Sequence, residues 1–276
     1  MKKMLSLAIA LCMMLALPAA SAITPLTITI GIPPASHMEI LELVREDLAA
    51  LGYQLKFIVY AQDELINPSL SAEEMDASYG RGLAPMIEYN SYAGQAEQLV
   101  AVIPVHFAPY GLYTGGVSSL DDLKEGGVIA IPDDPEGETR ALLLLAEAGL
   151  IVLPDDAPTA DLLTLSDILE NPRNLDIRKV DAPKLSDADL TVLSAESAKA
   201  AGLKPVFDAV FFEPPGSASA LRYAAYVVVL YKNADAEFTN ALRQVLLTQK
   251  VYDFILTNDD YDGALAPAFA ITDENE

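Results

Sequence analysis

Apolar positions along the chain follow two spacings, one typical of strands and one typical of helices. LTITIGI (26–32) predicts a strand, and YQLKFIVY (53–60) predicts a second one. Between them, apolar residues recur at helical spacing, with Ser36 as a candidate N-cap and Gly52 as the stop. Strand, helix and strand in this order predict a βαβ unit, and hence a parallel sheet covered by helices.

The same alternation continues through the rest of the chain. Residues 98–114 predict two extended segments interrupted by two prolines, and further strands are predicted at 127–132, 175–180, 188–194 and 223–232. Helices are predicted for 118–126, for the leucine-rich run that follows residue 132, and for 236–257. The pattern therefore predicts an α/β protein with two layered halves, because prolines and short elements near 104–120 interrupt it in mid-chain.

The first 22 residues, MKKMLSLAIALCMMLALPAASA, have the features of an export signal: two lysines, an apolar run, and a small-residue end. We expect cleavage after Ala22, so that the mature chain is exported to the periplasm or the cell surface. A second interpretation makes Cys12 the lipidated residue of a lipoprotein signal. Leu11 stands where such signals have a small residue, which favours ordinary cleavage, and membrane anchoring stays open.

Composition narrows the classes of function. The chain carries 40 acidic against 17 basic residues, a formal net charge of −23, which disfavours nucleic acid and anionic lipid as partners. Its single cysteine, Cys12, lies in the export segment, so we expect neither a disulfide nor thiolate chemistry in the mature chain. No metal-ligand spacing is present, and no cofactor or metal is expected.

Arg140 is the residue whose position asks for an explanation. It lies near the start of a predicted helix in AIPDDPEGETRALLLLAEAGL (130–150), where the helix dipole disfavours a cation unless an anion sits opposite. The local acids, Asp133, Asp134, Glu136 and Glu138, could supply that anion. The sequence favours the other explanation, a ligand carboxylate, because ligands of α/β folds bind where strand ends meet helix starts.

No arrangement of residues predicts catalysis. PGSASA has the wrong spacing for a nucleophile elbow, and the only histidines, His37 and His106, are far apart in sequence. The paired acids lie in polar turns and are most simply solvated. The sequence therefore predicts a protein that is not an enzyme.

Several stretches resemble, in order, the methionine-binding proteins of bacterial ABC importers, the NlpA lipoprotein family. They are GIPPASHMEILELV, MDASYG, PVHFAPYGLYT, the run from 119 to 153, DILENPRNLDIRKVDAPKL and GALAPAF. The resemblance implies a two-lobed, type II periplasmic-binding-protein fold with a small amino acid in the cleft between the lobes. We expect an export signal at 1–22, lobe 1 from 23–112 plus 222–276, and lobe 2 from 113–221. A membrane permease would be the protein partner, and a monomer is expected.

The resemblance also assigns roles to residues. Arg140 matches the arginine that takes the ligand carboxylate, and a planar guanidinium can do so through two parallel hydrogen bonds. Tyr79 matches a tyrosine that lines the side-chain pocket, and His106 matches a histidine close to it. His37 also matches a family position, and we expect a structural role for it.

The chain departs from the family pattern at three places, which together cover seven residues. Gly80, Arg81 and Gly82 replace Phe, Gln and His, and Ser194, Ala195 and Glu196 replace Asn-Gly-Asn; Ala225 replaces a further asparagine. The site thereby loses polar partners and two bulky rings, which predicts a changed ligand or a weaker, wetter site. Glu196 could meet an ammonium group and Arg81 a second anionic group. The simplest alternative for both is a solvated surface charge.

Taken together, these features predict an extracytoplasmic binding protein of an ABC importer for a methionine-like amino acid or a related small zwitterion. The expected ligand contacts are Tyr79, Arg81, His106, Arg140, Ser194 and Glu196. Two alternatives remain: a sensing or scavenging module on the same scaffold, and, with less support, an extracytoplasmic enzyme.

Overall fold

The structure is a computed structural model that describes residues 25–33 and 38–271. The expectations for Cys12, Ala22, Ser36 and His37 concern residues outside these ranges. The strands are β1 (Leu26–Ile32), β2 (Tyr53–Val59), β3 (Ala77–Arg81), β4 (Leu99–Phe107), β5 (Tyr110–Thr114), β6 (Val128–Pro132), β7 (Asp176–Val180), β8 (Leu190–Ser194), β9 (Phe211–Phe212), β10 (Ala225–Leu230) and β11 (Ala266–Pro267). The α-helices are α1 (Met38–Leu43), α2 (Arg45–Ala50), α3 (Ile66–Ser71), α4 (Leu83–Tyr92), α5 (Pro135–Glu147), α6 (Ala195–Ala200), α7 (Pro205–Asp208), α8 (Ala218–Tyr223), α9 (Glu237–Leu246) and α10 (Gln249–Thr257).

The first sheet has six strands in the order β11-β4-β10-β3-β1-β2. β1 pairs in parallel with β2 and β3, as the βαβ pattern predicts, whereas β10 runs antiparallel to both β3 and β4. Alternate residues of β1 are fully buried, which is the signature of a strand packed against a helical layer. One face of the sheet packs on α1, α2, α9 and α10, and the other on α3, α4 and α8.

The second sheet has five strands in the order β7-β6-β8-β5-β9. β6 pairs in parallel with β7 and β8, and β5 is antiparallel to β8. The leucine run of α5 forms the centre of its core, together with Ile129, Ile131 and Val192 from the sheet. The predicted α/β class and two-lobed architecture are confirmed.

The chain passes between the two sheets twice. The first crossover is Ala108 and Pro109, between β4 and β5, and the second is residues 213–224, between β9 and β10. The predicted lobe boundary between 112 and 113 falls inside β5, and that between 221 and 222 falls inside α8. The division into lobes at those residues stays a prediction.

Two predicted helices were wrong. Residues 118–126 form turns. The Ser119 hydroxyl donates to Asp122 Oδ2 at 3.0 Å, and Gly126 and Gly127 follow shortly afterwards, so the segment is too short for a stable helix. The predicted helix 236–257 is two helices, since the chain breaks at Leu247 and the Thr248 hydroxyl caps α10. Within the described ranges no helix is long and apolar enough to cross a membrane.

Candidate functional site

The two crossovers lie where strand ends of both sheets come together. His106, near the end of β4, pairs with Ala225, the first residue of β10. Tyr110, the first residue of β5, pairs with Ser194, the last residue of β8. Because β3 and β4 run parallel to each other, as do β6 and β8, their carboxyl ends point to this junction, where α/β folds bind ligands.

Arg140 lies on α5, at this junction. Asp134 caps the helix by accepting a hydrogen bond from Gly137 N at 2.8 Å, and Pro135 occupies the first helical position. The local sequence thus fixes where the helix begins and puts Arg140 in its second turn. Arg140 is only 6% exposed.

An acid does pair with Arg140, but it is none of the four local ones. Nε donates to Glu213 Oε1 at 3.0 Å, and Nη2 donates to Glu213 Oε2 and to the carbonyl oxygen of Ala108. Glu213 is 1% exposed, and its Oε2 also accepts a hydrogen bond from Tyr110 N at 2.8 Å. The guanidinium is therefore held by both crossovers at once.

The four local acids were the alternative source of an anion for Arg140, and they make other contacts. Asp134 serves as the cap, and Glu138 is buried, where it pairs with Lys179 and accepts a hydrogen bond from Leu165 N at 3.0 Å. Asp133 and Glu136 are exposed. A buried guanidinium needs a buried anion, and Glu138, the one local acid that is buried, is already paired with Lys179.

The rings of two tyrosines lie against the guanidinium. Its central carbon lies 4.1 Å from the ring centroid of Tyr110 and 4.2 Å from that of Tyr223, both within the range of cation–π contact. Burial raises the pKa of both phenols, and the positive charge of Arg140 opposes that rise. Sequence reasoning missed Glu213, Tyr110 and Tyr223. The one available signal was an acid set between apolar and proline residues, in VFFEPP.

Tyr79 and His106 form a second buried group in the first sheet. The Tyr79 hydroxyl lies 2.8 Å from His106 Nδ1, and the two rings meet edge to face with centroids 5.8 Å apart. Burial raises the pKa of the Tyr79 phenol well above its ordinary value, and the nearby Tyr261 and Glu39 raise it further. The structure thus brings Tyr79 into contact with His106, which the resemblance placed close by, and Ala108 follows His106 by two positions.

The remaining candidates lie nearer the surface. Arg81 donates from Nη1 to the carbonyl oxygen of Asp63 at 2.8 Å. Ser194 caps α6, accepting from Ser197 N at 3.1 Å, while Glu196 is exposed in the first turn of that helix. Ser194 and Tyr110 share a small polar pocket of about 160 Å³, so Ser194 adjoins the Arg140 group. Within the described ranges, neither Arg81 nor Glu196 forms a hydrogen bond or ion pair with that group.

No metal centre is indicated in the part of the chain that the structure describes. Residues 25–33 and 38–271 contain no group of three or more His, Cys, Asp or Glu side chains placed to hold an ion. The arrangement can offer hydrogen bonds from a guanidinium, a phenol, an imidazole and hydroxyls. These groups suit the recognition of a small polar molecule.

The sequence profile of the NlpA lipoprotein family matches residues 28–269. A methionine-binding lipoprotein of Bacillus subtilis is 32% identical over 247 residues, which is 87% of each protein. A YaeC-family lipoprotein of Enterococcus faecalis has a solved structure that superposes with a TM-score of 0.59 at 28% identity, over 88% of this chain and 99% of that one. The structure of a Burkholderia cenocepacia nutrient-binding protein bound to methionine gives 0.51 at 29% identity, over 88% and 100%.

A two-lobed α/β fold with a polar junction between its sheets defines a solute-binding type of protein. The chain belongs to the NlpA lipoprotein family, and the predicted resemblance is confirmed.

Proposed function

We propose that this chain is the exported solute-binding protein of an ABC importer, and that it binds a methionine-like amino acid or a related small zwitterion between the two sheets. Relatives that are named as methionine-binding lipoproteins, rather than as enzymes, support this proposal. So does the Burkholderia cenocepacia protein solved with methionine. A membrane permease would be the partner of a monomeric chain located in the periplasm or held at the membrane.

The observation that carries the proposal is the buried guanidinium of Arg140 where the sheets meet. Nε and Nη2 are engaged by Glu213 and Ala108, and Nη1 makes no hydrogen bond to any described residue. An acid or carbonyl oxygen of the solute would therefore be received by Nη1. A donor from a charged group in a site shielded from water gives a stronger hydrogen bond than it would in solvent.

Tyr79 and His106 would line the side-chain end of the site, and Ser194, Arg81 and Glu196 would contact polar groups of the solute. The departures from the family pattern argue for a solute other than methionine itself or for weaker binding. Gly80 has a φ of +99°, a backbone conformation that side-chain-bearing residues rarely adopt, and position 225 offers only an alanine. Fewer polar partners leave more of the solute's hydrogen bonds to water.

The test of this proposal begins with mass spectrometry of the small molecules that stay with the purified protein, followed by a thermal-shift screen of amino acids and dipeptides. The variant Arg140→Lys then tests the site, because lysine keeps a positive charge beside Glu213 but has no second terminal nitrogen. We expect Arg140→Lys to weaken binding at least tenfold. Arg178→Lys, at an exposed ion pair on β7, is the matched control. Unchanged affinity in Arg140→Lys would place the solute elsewhere.

A further inference from the structure

Glu213 occupies the part of Arg140 that a ligand carboxylate would use. A guanidinium has five N–H donors in a fixed fork. Nε donates to Glu213, and Nη2 donates to both Glu213 and Ala108, so three of the five N–H donors are engaged. The two donors that remain are both on Nη1. A carboxylate that makes two parallel hydrogen bonds needs two neighbouring nitrogens, either Nε with Nη2 or Nη1 with Nη2. Both donors of Nη2 are engaged, so neither pair of nitrogens is available to a second carboxylate.

Two tyrosine rings lie against the guanidinium as well. The rings of Tyr110 and Tyr223 lie about equally far from its central carbon, at 4.1 and 4.2 Å. A solute would therefore approach Arg140 at Nη1, the nitrogen whose two donors are not engaged. That approach suits one acceptor atom, and an amide carbonyl oxygen satisfies it as well as a carboxylate oxygen does.

The charge of Arg140 is balanced within the protein. Its partner Glu213 is buried and held in place by Tyr110 N, so the pair presents no net charge to a solute. Burial raises the pKa of the Tyr110 phenol, Arg140 opposes that rise, and the negative charges of Asp134, Glu136 and Glu213 add to it. Arg222, the other guanidinium near Tyr223, donates to the carbonyl oxygens of Ala160 and Asp161, which engage its donors and leave its positive charge in place. The attraction that Arg140 itself can offer a free carboxylate is therefore reduced by Glu213.

We propose that Glu213 is a specificity-determining residue: by filling the bidentate edge of Arg140 and balancing its charge, it makes the site accept an uncharged carbonyl group about as well as a carboxylate. The proposal rests on the proposed function, since it concerns the solute group received by Arg140. It extends the class of solutes from free amino acids to amino-acid amides and to peptides whose carbonyl group faces Nη1.

Calorimetry with L-methionine and L-methioninamide tests this proposal on the full mature chain. We expect the wild type to bind the two probes within about tenfold of each other, which is about 1.4 kcal/mol. In Glu213→Gln, the guanidinium is no longer balanced, and preference for methionine over its amide rises at least tenfold. Glu170→Gln, an exposed position of the same charge, keeps the wild-type ratio. A wild-type preference for methionine above tenfold, or an unchanged ratio in Glu213→Gln, overturns the proposal.

A second measurement needs no known solute. Glu213→Ala leaves a cavity beside an unpaired guanidinium, and acetate has the size and charge of the missing group. We expect acetate to raise the melting temperature of Glu213→Ala above its value in chloride at equal ionic strength, with no such difference in the wild type or in Glu170→Ala. If neither L-methionine nor L-methioninamide binds, the proposed class of solute is wrong, and the acetate measurement alone tests the role of Glu213. Equal melting temperatures in acetate and chloride refute it.

Discussion

Arg140→Ala tests how far the junction depends on the buried ion pair. The substitution removes the cation that faces the Glu213 carboxylate and leaves a buried negative charge that still accepts a hydrogen bond from Tyr110 N. Breaking a buried pair from one side typically costs about 3–5 kcal/mol of unfolding free energy, because the remaining charge stays desolvated. The loss of the Tyr110 and Tyr223 contacts, each worth roughly 0.5–2 kcal/mol, acts in the same direction.

The expected cost is large for a chain of this size. At roughly 2–4 °C per kcal/mol, a loss of about 3–5 kcal/mol lowers the melting temperature by about 6–20 °C. Removing both charges in Arg140→Met with Glu213→Leu costs less than either single change, because no unpaired charge is left. The two halves of the pair therefore couple strongly in a double-mutant cycle.

Urea unfolding followed by far-ultraviolet circular dichroism and by tyrosine fluorescence gives the free energies. Tyrosine is the natural probe, since the chain has 12 tyrosines and no tryptophan. The exposed pair Lys232–Glu73 is the control, and Lys232→Ala should cost no more than about 1 kcal/mol. A cost for Arg140→Ala as small as that of Lys232→Ala would refute the reasoning that the pair holds the junction.

Three further changes test other parts of the structure. Burial raises the pKa of the Tyr79 phenol in the folded protein, so the stabilisation that this shift gives is complete below the unfolded-state pKa of about 10 and is lost as the pH rises beyond it. Tyr79→Phe should therefore flatten the alkaline loss of unfolding free energy, measured by urea unfolding between about pH 9 and 12. An unchanged slope would contradict this. Gly115→Ala would set a Cβ 1.9 Å from the carbonyl oxygen of Leu185 and 2.2 Å from that of Ala188, and overpacking against main chain should cost at least about 1–3 kcal/mol; an unaltered melting temperature argues against that contact. Asp134→Ala removes the cap of α5 and should cost about 1 kcal/mol by urea unfolding, whereas Asp134→Asn, which can still cap, should cost little.

The sequence predicted the regular elements where local signals were strong. β1, β2 and β6 were recognisable from their apolar, β-branched runs, and α5 from its acidic, proline-containing start. The failures came where a weak local pattern met a competing backbone preference. In 118–126, a turn with a hydrogen bond from the Ser119 hydroxyl to the Asp122 carboxylate forms in place of the predicted helix. At Thr248, a hydroxyl cap begins a new helix within a segment that the apolar periodicity predicted as one helix.

The candidate site was harder to predict, because its key contact spans the chain. Arg140 was singled out correctly as a cation that needs an anion, but Glu213 lies 73 positions away and shares no local pattern with it. Tyr110 and Tyr223 carried no signal of their own, since an aromatic residue beside a strand or helix usually belongs to the core. Which acid pairs with a buried arginine is decided by how the two crossovers meet, and local spacing does not encode that.

The ties between the crossovers limit how one sheet can move against the other. Glu213 N donates to Tyr110 O at 3.0 Å, and the Glu213 carboxylate accepts from Tyr110 N in return. These two bonds continue the β5–β9 pairing of the second sheet by one residue on each strand, up to the points where the chain leaves for the first sheet. If one sheet turns against the other, we therefore expect the backbone to bend on the first-sheet side of Tyr110 and Glu213.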